Sequence, residues 1–221
     1  MLNRASKPFV KLVEKYLPDP YIFVLLLTLI TLVFAVVIQD QSPLTTVQQW
    51  GDGFWGLLTF SMQMLLVLVT GFMLACTPLV KTLLENLARL AKGPGSAIVL
   101  VTLVSLTASW INWGFGLVVG ALFAKALARK VSVDYRLLVA SAYSGFIVWH
   151  GGLAGSVPLT IATPGHFSEA QIGVIGTSET IFSGFNLLLL AIMFVVIPLV
   201  NRLMLPPKSE SVIVDSAKLQ D

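Results

Sequence analysis

Five apolar runs punctuate the chain, at residues 21–38, 54–75, 96–123, 137–161 and 181–200, separated by polar connectors, most of which contain proline. A helix needs about 20 apolar residues to cross a hydrocarbon core of about 30 Å. The pattern therefore predicts an all-α, polytopic membrane protein. Two connectors read as amphipathic helices lying along a membrane face. "SKPFVKLVEKYLPDP" places Val10, Val13 and Leu17 on one side and ends at Pro18. "PLVKTLLENLARLAKG" sets Leu79, Leu83, Leu87 and Leu90 opposite Lys81, Glu85 and Lys92. Residues 1–205 form one membrane module by this reading, and residues 206–221 a polar tail or linker.

Composition agrees. Of 221 residues, 56% are hydrophobic and only 11% charged, against roughly a quarter charged in soluble domains. The net charge of +3 is not gathered into aromatic-interleaved basic runs, so no nucleic-acid partner is implied. The single cysteine, Cys76, excludes an internal disulfide and a cysteine-based zinc site. Arg4, Lys7, Lys11 and Lys15 precede the first run much as in a signal peptide. That run is long for such a segment, however, and "VFAVV" is a poor cleavage site, so it is read as a retained membrane helix.

Charge placement sets the topology. Besides those four, basic residues fall at Lys81, Arg89 and Lys92, at Lys125, Arg129, Lys130 and Arg136, and at Arg202, Lys208 and Lys218. Connectors 39–53 and 163–180 carry none. Cytoplasmic connectors are the basic ones, so both termini are expected inside and these two connectors outside. Run 96–123 then has basic residues at both ends and must enter and leave on one side. Its limbs, taken as 96–110 and 117–127, reach only about 22 and 16 Å at 1.5 Å per residue. Four crossings plus one re-entrant helical hairpin follow, with Asn112, Trp113, Gly114, Phe115 and Gly116 as its unwound tip. Irregular backbone at membrane depth is tolerated only in protein or beside an aqueous cavity.

A second interruption, "GGLAGSVP" from Gly151 to Pro158, breaks the crossing 137–161 near its middle. Paired breaks of this kind point to the midplane site of a secondary transporter. Helix N-termini after Gly116 and Gly155 could hold a carboxylate, with Asn112 and Ser156 as donors. The predicted substrate-binding residues are Asn112, Trp113, Gly114, Gly116, Gly152, Gly155 and Ser156. His150, an ionisable group within a span, is a candidate for proton coupling. Simpler roles compete: Gly116/Gly120 and Gly151/Gly155 fit GxxxG packing faces, Asn112 fits interhelical glue, Trp110 and Trp113 fit an interfacial belt, and His150 fits a neutral pocket residue. "GFGLVVG" has Val119 where a dinucleotide fingerprint needs glycine. An enzyme would need a base–nucleophile or metal constellation, which these residues do not supply; no metal site is predicted. An anion channel or pore component is the alternative, expected to show a continuous polar stripe.

"YLPDPYIFVLLLTLIT", "QQWGDGFWGLLTFSMQM", "INWGFGLVVGALFA" and "GSVPLTIATPG" together resemble the short-chain fatty acid transporter (AtoE) family, over about residues 16–206. The resemblance implies a carrier of the bacterial inner membrane for anions such as acetoacetate or butyrate, with the re-entrant hairpins and inverted repeats of the ion-transporter superfamily. It implies no cofactor beyond a coupling ion, sodium or proton, and homodimers are common there. Family members are about twice as long, so the chain corresponds to an N-terminal half. The missing half is expected as a separately encoded partner or as a part lost by truncation, which would leave a non-functional fragment. Four crossings put both termini inside, so a second copy would insert in the same orientation; an inverted pair would need dual topology, against which the strong basic bias argues.

Overall fold

The computed structural model describes residues 2–215 and 219; of residues 2–5, 57, 59 and 60 it describes the backbone alone. The described residues form α-helices α1 (Leu2–Tyr16), α2 (Pro20–Val37), α3 (Pro43–Phe54), α4 (Leu58–Ala75), α5 (Pro78–Ala88), α6 (Pro94–Ile111), α7 (Trp113–Ala128), α8 (Tyr135–Ser144), α9 (Ser156–Ile161), α10 (Glu169–Ile172) and α11 (Gly184–Leu203). A 3₁₀ segment, Gly145–Gly151, continues α8. Three helices begin on a cap–proline dipeptide. Asp19 accepts from Tyr21 N–H, Ser42 from Thr45 N–H and Thr77 from Val80 N–H, ahead of Pro20, Pro43 and Pro78. The cap satisfies a free amide, and proline loses nothing at the first helical position.

By length and composition four stretches can cross a membrane: α2, α6, Tyr135–Ile161 and α11. The pair Ser61–Ala75 and α5, bent by 66°, would make a fifth. The protein is thus an all-helical polytopic membrane protein. It divides into two compact units, residues 4–66 and essentially residues 67–221.

In the first unit α3 folds back along α2, bringing Pro43, Thr46 and Val47 beside Leu32 and Val36, and Trp50 beside Val24 and Thr28. Residues 39–53, expected as a connector, are therefore largely helical. α2 itself buries no residue.

The second unit is built around α6 and α7, which pack antiparallel. Gly116 lies against Ser109, and Gly120 against Ser105 one turn nearer the hairpin's base. A Cβ at Gly116 would stand 2.5 Å from Ser109 Cα, so absence of a side chain sets the helix separation. α8 and its 3₁₀ extension close on the same face, where a Cβ at Gly145 would stand 2.6 Å from the backbone of Leu106. Ile98, Val101, Phe123, Leu127 and Leu138 fill the core. The expected amphipathic helix is α5, yet its stripe is rotated. Val80, Leu84 and Ala88 are buried against the hairpin, whereas Leu79 and Leu83 are exposed. A leucine stripe suited to lipid is indistinguishable in sequence from one suited to protein.

The tail is held in place. Tyr135 N–H donates to Val212 C=O (2.9 Å), and Val212 N–H donates to Asp134 Oδ2 (2.8 Å). Asp134 also caps α8 through Leu137 N–H and pairs with Arg136, which reaches Glu210 C=O. Burial pushes the Asp134 carboxyl upward, but the Arg136 bond and charge with the Val212 and Leu137 amides outweigh it, leaving it below its ordinary value. Residues 216–218 and 220–221 of the tail lie outside the described residues.

Candidate functional site

The hairpin tip is tighter than its glycine content suggests. Only Asn112 leaves the helical conformation (φ −155°, ψ 126°); α7 resumes at Trp113. The expected unwound stretch from Asn112 to Gly116 shrinks to one residue. Its limbs are correspondingly longer, 18 and 16 residues, or about 27 and 24 Å. Gly114 and Gly116 are buried inside the first turns of α7. A Cβ at Gly114 would meet Val67 C=O at 3.1 Å, and one at Gly71 would meet Phe115 N at 2.7 Å. These glycines permit close helix approach, the packing role that their spacing also allowed. Neither has a left-handed φ, so conformational freedom is not what they supply.

Asn112 accepts at Oδ1 from Phe115 N–H (3.0 Å). It thereby consumes one of the amides an anion would use, and leaves its own Nδ2 as the donor at the tip.

The second interruption lies where the sequence puts it. α8 passes into the 3₁₀ segment, residues 152–155 form a turn, and α9 restarts at Ser156 with no side-chain cap from Gly155. The two interruptions meet. Leu153 N–H donates to Trp110 C=O at 2.7 Å, satisfying a carbonyl at the end of α6. A Cβ at Gly152 would stand 3.0 Å from Trp110 Cα. The Trp113 ring lies 5.8 Å from Trp149 and 6.4 Å from Phe146. Of the residues predicted from sequence, Asn112, Trp113 and Gly152 are gathered at this junction, while Gly155 packs on the His150 carbonyl.

Beside the turn is a cavity of about 250 Å³ lined by His150, Gly151, Pro158, Glu179, Thr180, Ser183 and Asn186, among others. His150 stacks on Trp149 with ring centroids 4.1 Å apart. Asn186, at the head of α11, donates to Gly151 C=O (3.0 Å) and Ile181 C=O (2.7 Å), fastening that helix to the break.

Sequence reasoning missed several polar groups. Ser109 Oγ, Trp110 Nε1 and Trp149 Nε1 are buried without a hydrogen-bond partner in the described structure. Such donors are costly and uncommon. Deeper in the unit, Asn201 Nδ2 donates to Thr102 Oγ1 (3.1 Å) and to Ser144 Oγ (2.8 Å), tying α11 to α6 and α8. Asn201 directly follows the apolar run 181–200, where a polar side chain at a helix end does not by itself signal a buried partner.

Comparison with known proteins now bears on this geometry. The family model described as "Short chain fatty acid transporter" matches residues 1–221. Relatives in Escherichia coli (strain K12) and Haemophilus influenzae (strain ATCC 51907 / DSM 11121 / KW20 / Rd), both named "Putative short-chain fatty acid transporter", are 47% and 44% identical. The matches take in 100% and 97% of this chain and 50% of each relative, so the chain spans about half their length. No solved structure matches. With a whole-chain match and helices that can cross a membrane, the chain belongs to the short chain fatty acid transporter family.

Proposed function

We propose that the chain is half of a secondary carrier that moves short-chain fatty acid anions across the bacterial inner membrane, with both termini cytoplasmic. The observation that carries this reading is the 2.7 Å bond from Leu153 N–H to Trp110 C=O, which joins two helix interruptions within one unit. Around it stand hydrogen-bond donors: the indole N–H groups of Trp110 and Trp149, the Nδ2 of Asn112, whose Oδ1 already accepts from Phe115 N–H, and the uncapped amides opening α9. A carboxylate offers acceptors only, and an aliphatic tail of a few carbons suits the surrounding rings of Trp113, Phe146 and Trp149.

Gly114, Gly116 and Gly152 take part by letting backbones approach, and Gly155 and Ser156 by restarting a helix. His150, which shares a cavity with Glu179, is the candidate for coupling transport to a proton; sodium is the other candidate ion. The curated relatives are twice as long, and a second half would close the junction from the opposite side. The chemistry is translocation, with the substrate emerging unchanged.

The test is uptake and counterflow of labelled butyrate in vesicles holding the chain co-expressed with the C-terminal half of a full-length relative. A carrier shows trans-acceleration; flux without it indicates a pore, and chemical conversion an enzyme. Asn112→Leu should abolish uptake at unchanged expression. Unchanged uptake would remove Asn112 from the site.

A further inference from the structure

A third element reaches the hairpin tip. α4 crosses the first turn of α7 with two residues one turn apart, Val67 and Gly71, set against the peptide that joins Gly114 to Phe115. Gly71 is buried. A Cβ there would stand 2.7 Å from Phe115 N, 3.0 Å from the Gly114 carbonyl carbon and 3.1 Å from Phe115 Cα. All three are backbone atoms, so no change of rotamer relieves the contact. Phe115 N–H is also the amide that donates to Asn112 Oδ1. We propose that Gly71 is a positioning residue for the site, a role that rests on the carrier reading for what Asn112 does. By carrying no side chain, Gly71 leaves the Phe115 amide where it holds Asn112, and so fixes the Nδ2 that meets the substrate carboxylate.

The surroundings give α4 no room to yield. Beyond a bend of 66° the chain continues as α5, which buries Val80, Leu84 and Ala88 and sets Leu84 and Glu85 beside Leu122 and Ala126 in the second half of α7. Lys130 Nζ donates to Glu85 C=O (2.8 Å) just past the end of α7. α4 and α5 therefore hold α7 at both ends, and Gly116 is wedged against Ser109 of α6. A methyl added at Gly71 displaces the turn between these fixed points, from Asn112 to Phe115. Close packing alone also accounts for glycine at a helix crossing, but the two roles have different consequences. A packing defect loosens α7 along its length; a lost position loosens the Phe115 amide selectively.

The experiment is hydrogen–deuterium exchange, resolved to single amides by fragmentation, on the full chain in nanodiscs. Gly71→Ala should speed exchange at Phe115 about fivefold, the equivalent of one lost N-cap bond, and leave Ala124 and Leu127 unchanged. Asn112→Ala should speed the same amide equally, and the double variant no further, because both remove one bond. Met73→Ala, exposed on the same helix, should change nothing. Uniform acceleration along α7, an unchanged Phe115 amide, or additive effects in the double variant would each overturn the proposal. In vesicles holding the chain with its complementing half, Gly71→Ala should raise KM for butyrate about tenfold with kcat nearly unchanged. An unchanged KM beside a loosened Phe115 amide would overturn the link to substrate. Absence of butyrate uptake by the wild type would contradict the carrier reading instead, and the exchange results would still decide what Gly71 holds in place.

Discussion

α2 and α6 are both 18 residues long, both open with proline, and both are apolar enough to cross a membrane. They behave differently. α2 is the more apolar of the two and buries no residue, whereas α6 buries eight of its 18 residues. Their hydroxyls explain the contrast. Thr28 and Thr31 of α2 donate to carbonyls of their own helix, Val24 and Leu27. In α6, Ser105 donates to Ala142 C=O of α8, Thr102 accepts from Asn201 of α11, and Ala97, Ala108 and Ser109 are buried. Lipid tails are as apolar as leucine, so greasiness does not drive helices together in a bilayer; small residues and interhelical hydrogen bonds do. The less hydrophobic helix is therefore the one that organises its unit.

That contrast can be broken most forcefully at the hairpin. Gly116→Leu drives a side chain into the Ser109 backbone and should cost about 3 kcal/mol, at the upper end for overpacking. Ala35→Leu in α2 should be nearly silent. Thermal aggregation in detergent, followed on both variants, checks this; equal shifts would mean that α6 and α7 do not pack as described. A smaller loss is expected from Asp134→Asn, which weakens the α8 cap and the tail attachment together, by roughly 1–2 kcal/mol. Because the folded carboxyl sits below its ordinary value, its contribution is complete at neutral pH and disappears as pH falls through the lowered value. Stability of wild type and variant should thus converge in acid. A gap that persists there would assign the effect to something other than the ionised carboxylate. Asn201→Leu removes the tie among α6, α8 and α11 and should cost about 0.6–1.7 kcal/mol. Thr28→Val in α2, read in the same assay, should change stability by less than about 0.5 kcal/mol.

Much of this was legible before the fold. Apolar runs gave the helices, and Asn112 and Gly151–Gly155 marked both interruptions. The helix starts at the cap–proline pairs of Pro20, Pro43 and Pro78 are not among the expectations, and residues 39–53 were expected as a connector. What stayed hidden was which property of glycine was in use. At Gly114, Gly116 and Gly152 the chain needs a missing Cβ, whereas only Gly165 and Gly173 among the glycines hold a positive φ. Sequence writes both needs with the same letter, so the tip was expected to unwind where it in fact packs. α5 shows the same limit, since its period locates a leucine stripe without saying whether protein or lipid receives it. The docking of Leu153 on Trp110 depends on residues 43 apart in sequence, and no local pattern reports it. Asn186 was visible as a polar residue in an apolar run and Asn201 just after it, but partners of both lie on other elements.

The central claim is that the junction of the hairpin tip with the broken span receives a carboxylate. A single cysteine, Trp113→Cys in a Cys76→Ser background, reports on it directly when labelled by a small maleimide in vesicles that hold the chain with its complementing half. Butyrate should slow that labelling and uncharged 1-butanol should not. Identical rates with and without butyrate would contradict the account.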